Sequence, residues 1–151
     1  METFVFNACI DICKKLSKSY NESIYHEALC VLLKKAGISF SKEYIIPIMF
    51  ENVQIGFLRS DIIIHSSTED SKSYIIECKA IENELKDTHL LQIITYMHNT
   101  KIYNGMYINF LQNSTKDSLE FYEVTFDGVN YTFKNIIKNN YFSVDICGRR
   151  N

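Results

Sequence analysis

Two apolar runs, each interrupted by a single acid, constrain this chain more than any other feature. The first is Arg59-Ser60-Asp61-Ile62-Ile63-Ile64-His65 and the second is Tyr74-Ile75-Ile76-Glu77-Cys78-Lys79-Ala80. Side chains alternate faces along a strand, so Arg59, Asp61 and Ile63 share one face of the first run. Glu77 and Lys79 share one face of the second, with Ile76 and Cys78 on the other. Aspartate is disfavoured in strands. An acid followed by three isoleucines is therefore a functional candidate. If the two strands are neighbours, Asp61 and Glu77 converge, with Lys79 two residues on. Two carboxylates held together repel unless a cation or a proton lies between them. With a lysine beside them they are the equipment of metal-assisted phosphodiester hydrolysis.

The 151 residues suffice for one domain with a sizeable core, and a single domain over 1–151 is expected. No apolar run approaches the roughly 18 residues that span a bilayer. The opening Met1-Glu2-Thr3-Phe4-Val5 lacks the basic region of a signal peptide. The expectation is an intracellular protein, cytoplasmic or nuclear, neither secreted nor membrane-bound. Five cysteines without a CxxC pair argue against a disulfide framework or structural zinc. Cys9 and Cys13, four apart on one helix, read as core. The formal charge of −2 gives no basic surplus of the kind that supports tight nonspecific DNA binding. An enzyme whose site is acidic because it holds a divalent ion remains compatible with it.

Periodicity predicts helices over Phe4–Lys18, Glu22–Lys35 (closed by Gly37) and Asp87–Asn99. It predicts strands over Ser39–Phe50, Val53–His65, Ser73–Ala80 and Gly105–Phe110. Pro47 marks an edge or a bulge, Glu51-Asn52 a tight turn, and Gly56 a bend. Ser66–Lys72 reads as a polar loop. Leu119–Phe126 and Val129–Phe133 form a hairpin turning at Asp127-Gly128, and the tail from Lys134 has no clear pattern. This is an α/β (α+β) arrangement: a central mixed sheet of about four strands flanked by helices, plus a C-terminal hairpin.

On the second helix Glu22 falls on the apolar side with Tyr25, Leu29, Leu32, Leu33 and Ala36, and Glu27 lies nearly opposite. A carboxylate on a core-facing stripe is costly unless paired. Glu22 either frays into water, favoured there by the helix dipole, or reaches the Asp61/Glu77 cluster. On the third helix His89, Gln92 and Tyr96 form one row. His89 reads as plain polar surface. Gln92 stands among leucines and isoleucines, where it and Tyr96 can hydrogen-bond phosphate oxygens or orient the lysine and metal ligands. His26, His65 and His98 show no ligand spacing and read as incidental.

The run Ser19-Tyr20-Asn21-Glu22-Ser23-Ile24-Tyr25-His26-Glu27-Ala28-Leu29 resembles the signature of the GxxExxY proteins of the PD-(D/E)XK nuclease superfamily. The resemblance continues in order through Arg59-Ser60-Asp61, Ile76 to Ala80, Gln92 to Tyr96 and Ile108-Asn109-Phe110, covering residues 16 to 125. It implies a restriction-endonuclease-like core: a helix, a three-stranded antiparallel meander, a crossing helix and a fourth strand. It implies Asp61, Glu77 and the Cys78 backbone carbonyl as ligands of Mg2+ or Mn2+, and Lys79 as the catalytic lysine. Glu22 becomes the acid of the first core helix, with Gln92 and Tyr96 the supporting pair. The signature glycine is Ser19 here, which alters the turn but removes no catalytic group. The expected activity is metal-dependent nuclease action on nucleic acid, DNA in preference to RNA. The alternative is a noncatalytic domain of the same fold that binds nucleic acid or protein. A homodimer through the edge strand near Pro47 or the C-terminal hairpin is a further expectation.

Overall fold

The computed structural model describes residues 1–68, 71–113 and 118–151. Its order is α1 (Glu2–Lys15), α2 (Glu22–Lys35), β1 (Phe40–Phe50), β2 (Val53–Ile64), β3 (Tyr74–Lys79), α3 (Asp87–Thr100), β4 (Asn104–Asn109), β5 (Glu120–Phe126), β6 (Tyr131–Asn135) and β7 (Asn140–Val144). The strands form one seven-stranded mixed sheet in sequence order. Only β3 and β4 pair in parallel, which requires the crossover that α3 supplies. From α2 to β4 this is the predicted helix, meander, crossing helix and fourth strand.

Both faces of the sheet are covered. Alternation sends Ile62, Ile64, Ile76, Cys78, Met106 and Ile108 to the layer of α1 and α2. It sends Ile63, Ile75 and Tyr107 to the layer of α3. That double cover is why β3 and β4 read as nearly unbroken apolar runs. Leu29 and Leu33 of α2 are fully buried, each worth about 1.5–3 kcal/mol of transfer free energy. Cys9 is core, as expected, and all five cysteines are free thiols. The close approach of α3 is set at Gly105 of β4. A Cβ there would lie 2.8 Å from Ile93 Cδ1 and 3.1 Å from Met97 Sδ.

Three expectations need correction. The sheet has seven strands rather than about four, because the C-terminal hairpin continues the sheet beyond β4 instead of standing apart. That hairpin closes through a four-residue loop, so β6 begins at Tyr131 and not at Val129. Asp127 Oδ1 accepts the N–H groups of Val129 and Asn130 at 2.8 and 2.7 Å and replaces the tight turn. The tail contributes β7, an edge strand. Of its residues only Val144 is fully buried, so its sequence lacks the alternation that announces a strand. The second helix falls at its predicted bounds, and the remaining boundaries lie within three residues of those predicted. Glu51 and Asn52 both take positive φ, 47° and 63°, which matches the twist of a two-residue hairpin. The bulge falls at Ile48/Met49, beside Pro47 and opposite Gly56. Of the predicted polar loop, residues 69–70 lie outside the described residues.

Candidate active site

The site forms where β2 and β3 stop pairing. Their backbone ladder ends at Ile62↔Ile76, and the next residues toward the opening are Asp61 and Glu77. Carboxylates then take over from carbonyls. Asp61 Oδ2 accepts the Cys78 N–H at 2.7 Å, and Glu77 Oε2 accepts the Asp61 N–H at a long 3.5 Å. This exchange pins both acids at one point and satisfies donors that the splayed strands would leave unpaired. Lys79 Nζ donates to Glu77 Oε1 at 3.0 Å.

The charges are coupled. Burial is the main reason that the Glu77 carboxyl is pushed up to about 7, and the neighbouring Asp61 charge adds to it; the Lys79 ion pair pulls the other way. Only 2% of Glu77 is exposed, so it cannot hydrate its charge. Burial pulls Lys79 down. The fields of Glu77, Glu22 and Asp61, with the Glu77 hydrogen bond, outweigh it, and the ammonium is held above its ordinary value. Lys79 is therefore a fixed cation rather than a proton acceptor. Glu22, at the first turn of α2, is raised first by burial and then by Asp61, and is opposed by Lys79 and a hydrogen bond from the Ala80 backbone. Of its two predicted alternatives, the structure takes the second: Glu22 faces the cluster.

Gln92 and Tyr96 approach from the α3 side. Gln92 Nε2 donates to the Tyr96 hydroxyl at 2.7 Å, and Gln92 Oε1 accepts from Tyr107 Oη at 3.3 Å. Tyr107 stands opposite Glu77 in the β3–β4 register. The Tyr96 phenol is raised by burial first and by the Glu77 charge second. The pair thus backs the site through Tyr107. Among the described residues neither makes a hydrogen bond to Lys79 or Asp61. His89 is outside the site: its Nδ1 accepts the Lys86 N–H at 2.9 Å and caps α3. The Cys78 side chain is buried in the α1/α2 layer.

Two residues belong to this neighbourhood that sequence reasoning passed over. Tyr107 was hidden in a buried strand whose register only tertiary pairing decides. His26 was read as incidental, yet it is 7% exposed and its Nε2 lies 3.2 Å from the Asp61 carbonyl oxygen. A carbonyl only accepts, so Nε2 carries the proton in this contact. The available signal was its place one helical turn from Glu22.

A family model described as PD-(D/E)XK nuclease superfamily matches residues 1–121.

The chain belongs to the PD-(D/E)XK nuclease superfamily.

Members of this superfamily are usually nucleases and generally use Mg2+ or Mn2+. No curated protein matches the chain significantly. Among solved structures, the crystal structure of SSO0001 is similar with a TM-score of 0.49 and 20% identity, over 68% of this chain and 48% of that one. The present chain therefore corresponds to about half the length of that protein. Among the described residues no three His, Cys, Asp or Glu side chains gather at metal-holding spacing. The donor set is instead two carboxylates with adjoining backbone. It suits a small hard cation that keeps most of its waters and takes one or two carboxylates, which is how Mg2+ is commonly bound. No described helix is long and apolar enough to cross a membrane.

Proposed function

We propose that this protein is a metal-dependent nuclease of the GxxExxY type, hydrolysing phosphodiester bonds of nucleic acid, DNA in preference to RNA. The observation that carries the proposal is the meeting of Asp61, Glu77 and Lys79 at the splayed ends of β2 and β3. Asp61 and Glu77, with the Cys78 carbonyl, would hold Mg2+ or Mn2+. When bound, the ion would polarise the scissile phosphate and acidify a coordinated water. Lys79, kept protonated by three carboxylates, orients the attacking water or counters charge on the phosphate. Glu22 adds its field to that of Glu77 at Lys79. Gln92 and Tyr96, braced by Tyr107, fix the wall behind Glu77. The working compartment on this reading is intracellular, and the catalytic unit is a single domain built around residues 16–125.

The decisive comparison uses Asp61→Asn. Its amide oxygen can still accept the Cys78 N–H, whereas Asp61→Ala leaves that donor unpaired and confuses folding with catalysis. With Mn2+ and a panel of labelled DNA and RNA substrates, the wild type is expected to cut at least one, and Asp61→Asn and Lys79→Ala to cut none. Full activity in Lys79→Ala would remove the lysine from the mechanism.

A noncatalytic reading has one observation in its favour: Asp61 already serves as a backbone cap for Cys78. It predicts no shift in melting temperature with Mn2+. A working site is stabilised by about 2.7 kcal/mol at a hundredfold excess of ion over Kd.

A further inference from the structure

The β1–β2 hairpin carries an apolar face that the described residues leave exposed. The register pairs Ile45 with Arg59, Pro47 with Phe57 and Met49 with Gln54. Cross-strand partners share a face, and the bulge leaves Ile55 of β2 as the extra residue, so β1 alternates without a break and Met49 follows Pro47 on this side. One face therefore presents Ile45, Pro47, Met49, Ile55 and Phe57, with the last three 54–65% exposed. Exposure of this kind marks an interaction site. Its area is on the order of 500 Å2 per copy, taking roughly 150–250 Å2 for a large side chain that here is about half exposed. Two copies would then bury about 1,000 Å2, the threshold of a specific interface before flanking polar residues are added.

We propose that this face is the contact between two copies of the chain, packed hairpin against hairpin about a two-fold axis with the hairpins antiparallel. Three observations select that occupant. The edge of β1 is blunted by Pro47, which lacks an N–H, by the bulge and by Glu43 at φ 50°; growth of the sheet by strand addition is thereby discouraged. Contact must come through the face. Between Lys42 and Arg59 the hairpin has no basic residue but carries Glu43 and Glu51, so it is a poor surface for nucleic-acid phosphates. Arg59 at the base and Glu51 at the turn are both exposed, and neither is ion-paired among the described residues. An antiparallel overlay sets each Arg59 against the partner's Glu51, twice by symmetry, which is the self-complementarity that a two-fold contact needs. Asp61 lies two residues past Arg59, so the two Asp61–Glu77 sites flank the contact at opposite ends.

Sedimentation equilibrium of the full chain, from roughly 1 to 100 µM, spans the range in which a micromolar dimer populates. The wild type is expected to show twice the chain mass. Phe57→Lys, a change at an exposed position, is expected to weaken association at least tenfold. Glu51→Arg and Arg59→Glu alone should each weaken it about threefold to tenfold, the worth of two exposed pairs, and the double reversal should restore it. A wild type that remains monomeric throughout overturns the proposal and leaves the face to another protein. A dimer unaffected by Phe57→Lys, or a double reversal that fails to restore association, also overturns it. None of these readouts involves metal or cleavage, so they are independent of the nuclease reading.

Discussion

Replacing Glu77 by glutamine is expected to stabilise the metal-free protein while destroying its proposed ion site. In the fold the Glu77 carboxyl titrates at about 7, against an ordinary value of 4.5. Below about pH 4.5 the group is protonated in both folded and unfolded chains, and its contribution is fully present. Between 4.5 and 7 the unfolded chain has released the proton and the folded chain has kept it, so stability falls as pH rises. Above 7 the folded chain carries a buried charge, and the accumulated loss is about 3 kcal/mol at 1.36 kcal/mol per pH unit. Glutamine never acquires that charge, and its Oε1 can still accept from Lys79. Its amide meets the Asp61 N–H badly, but that bond is long at 3.5 Å and its loss subtracts only a fraction of the gain. At roughly 2–4 °C per kcal/mol for a chain of this size, Glu77→Gln should melt about 6–12 °C above wild type at pH 8 and near it at pH 4. Thermal denaturation in chelator across this range measures the difference directly. A variant less stable than wild type at pH 8, or a difference independent of pH, would refute the argument that burial drives the shift. Adding Mn2+ should then stabilise wild type and leave the variant unmoved.

Further outcomes follow from the same geometry. Ser19 holds φ at 76°, a conformation that costs a non-glycine residue about 1–2 kcal/mol; Ser19→Gly, restoring the signature residue, should raise stability by up to about 1 kcal/mol after glycine's own entropy loss, read by urea titration. Asn109 is fully buried, accepting from the Ile81 N–H at 3.1 Å and donating to the Asn83 carbonyl at 3.1 Å. Asn109→Leu strands both backbone groups and should cost about 2–4 kcal/mol, with faster hydrogen exchange in the segment that joins Lys79 to α3. Lys79→Met removes the nearest cation and should push the Glu77 carboxyl further up, visible by carboxyl NMR as a titration midpoint above that of the wild type. Gly105→Ala presses a methyl against Ile93 and Met97 and should cost about 1–3 kcal/mol unless those side chains yield; an unchanged melting temperature would show that the α3 contact is loose.

The alternation of faces along two strands makes the centre of the site legible in the sequence. A period of two forces Asp61 with Ile63, and Glu77 with Lys79, whatever the rest of the chain does. The 3.6-residue period likewise placed Glu22 with Tyr25 and Leu29 on the buried side of its helix. These are local consequences of backbone geometry, and they survive any packing that keeps the elements. The sheet's extension to seven strands was not legible. β7 is an edge with one buried residue, and an edge strand that buries so little carries no periodic signal. Nor could sequence show that the ladder ends at Ile62↔Ile76, that Asp61 caps Cys78, or that His26 and Tyr107 stand at the same place. Those relations join residues 14 to 35 positions apart in the chain, across elements whose relative register depends on how two apolar layers pack. The acids were named by short-range stereochemistry; their common point, and the burial that lifts Glu77, arise only once both faces of the sheet are covered.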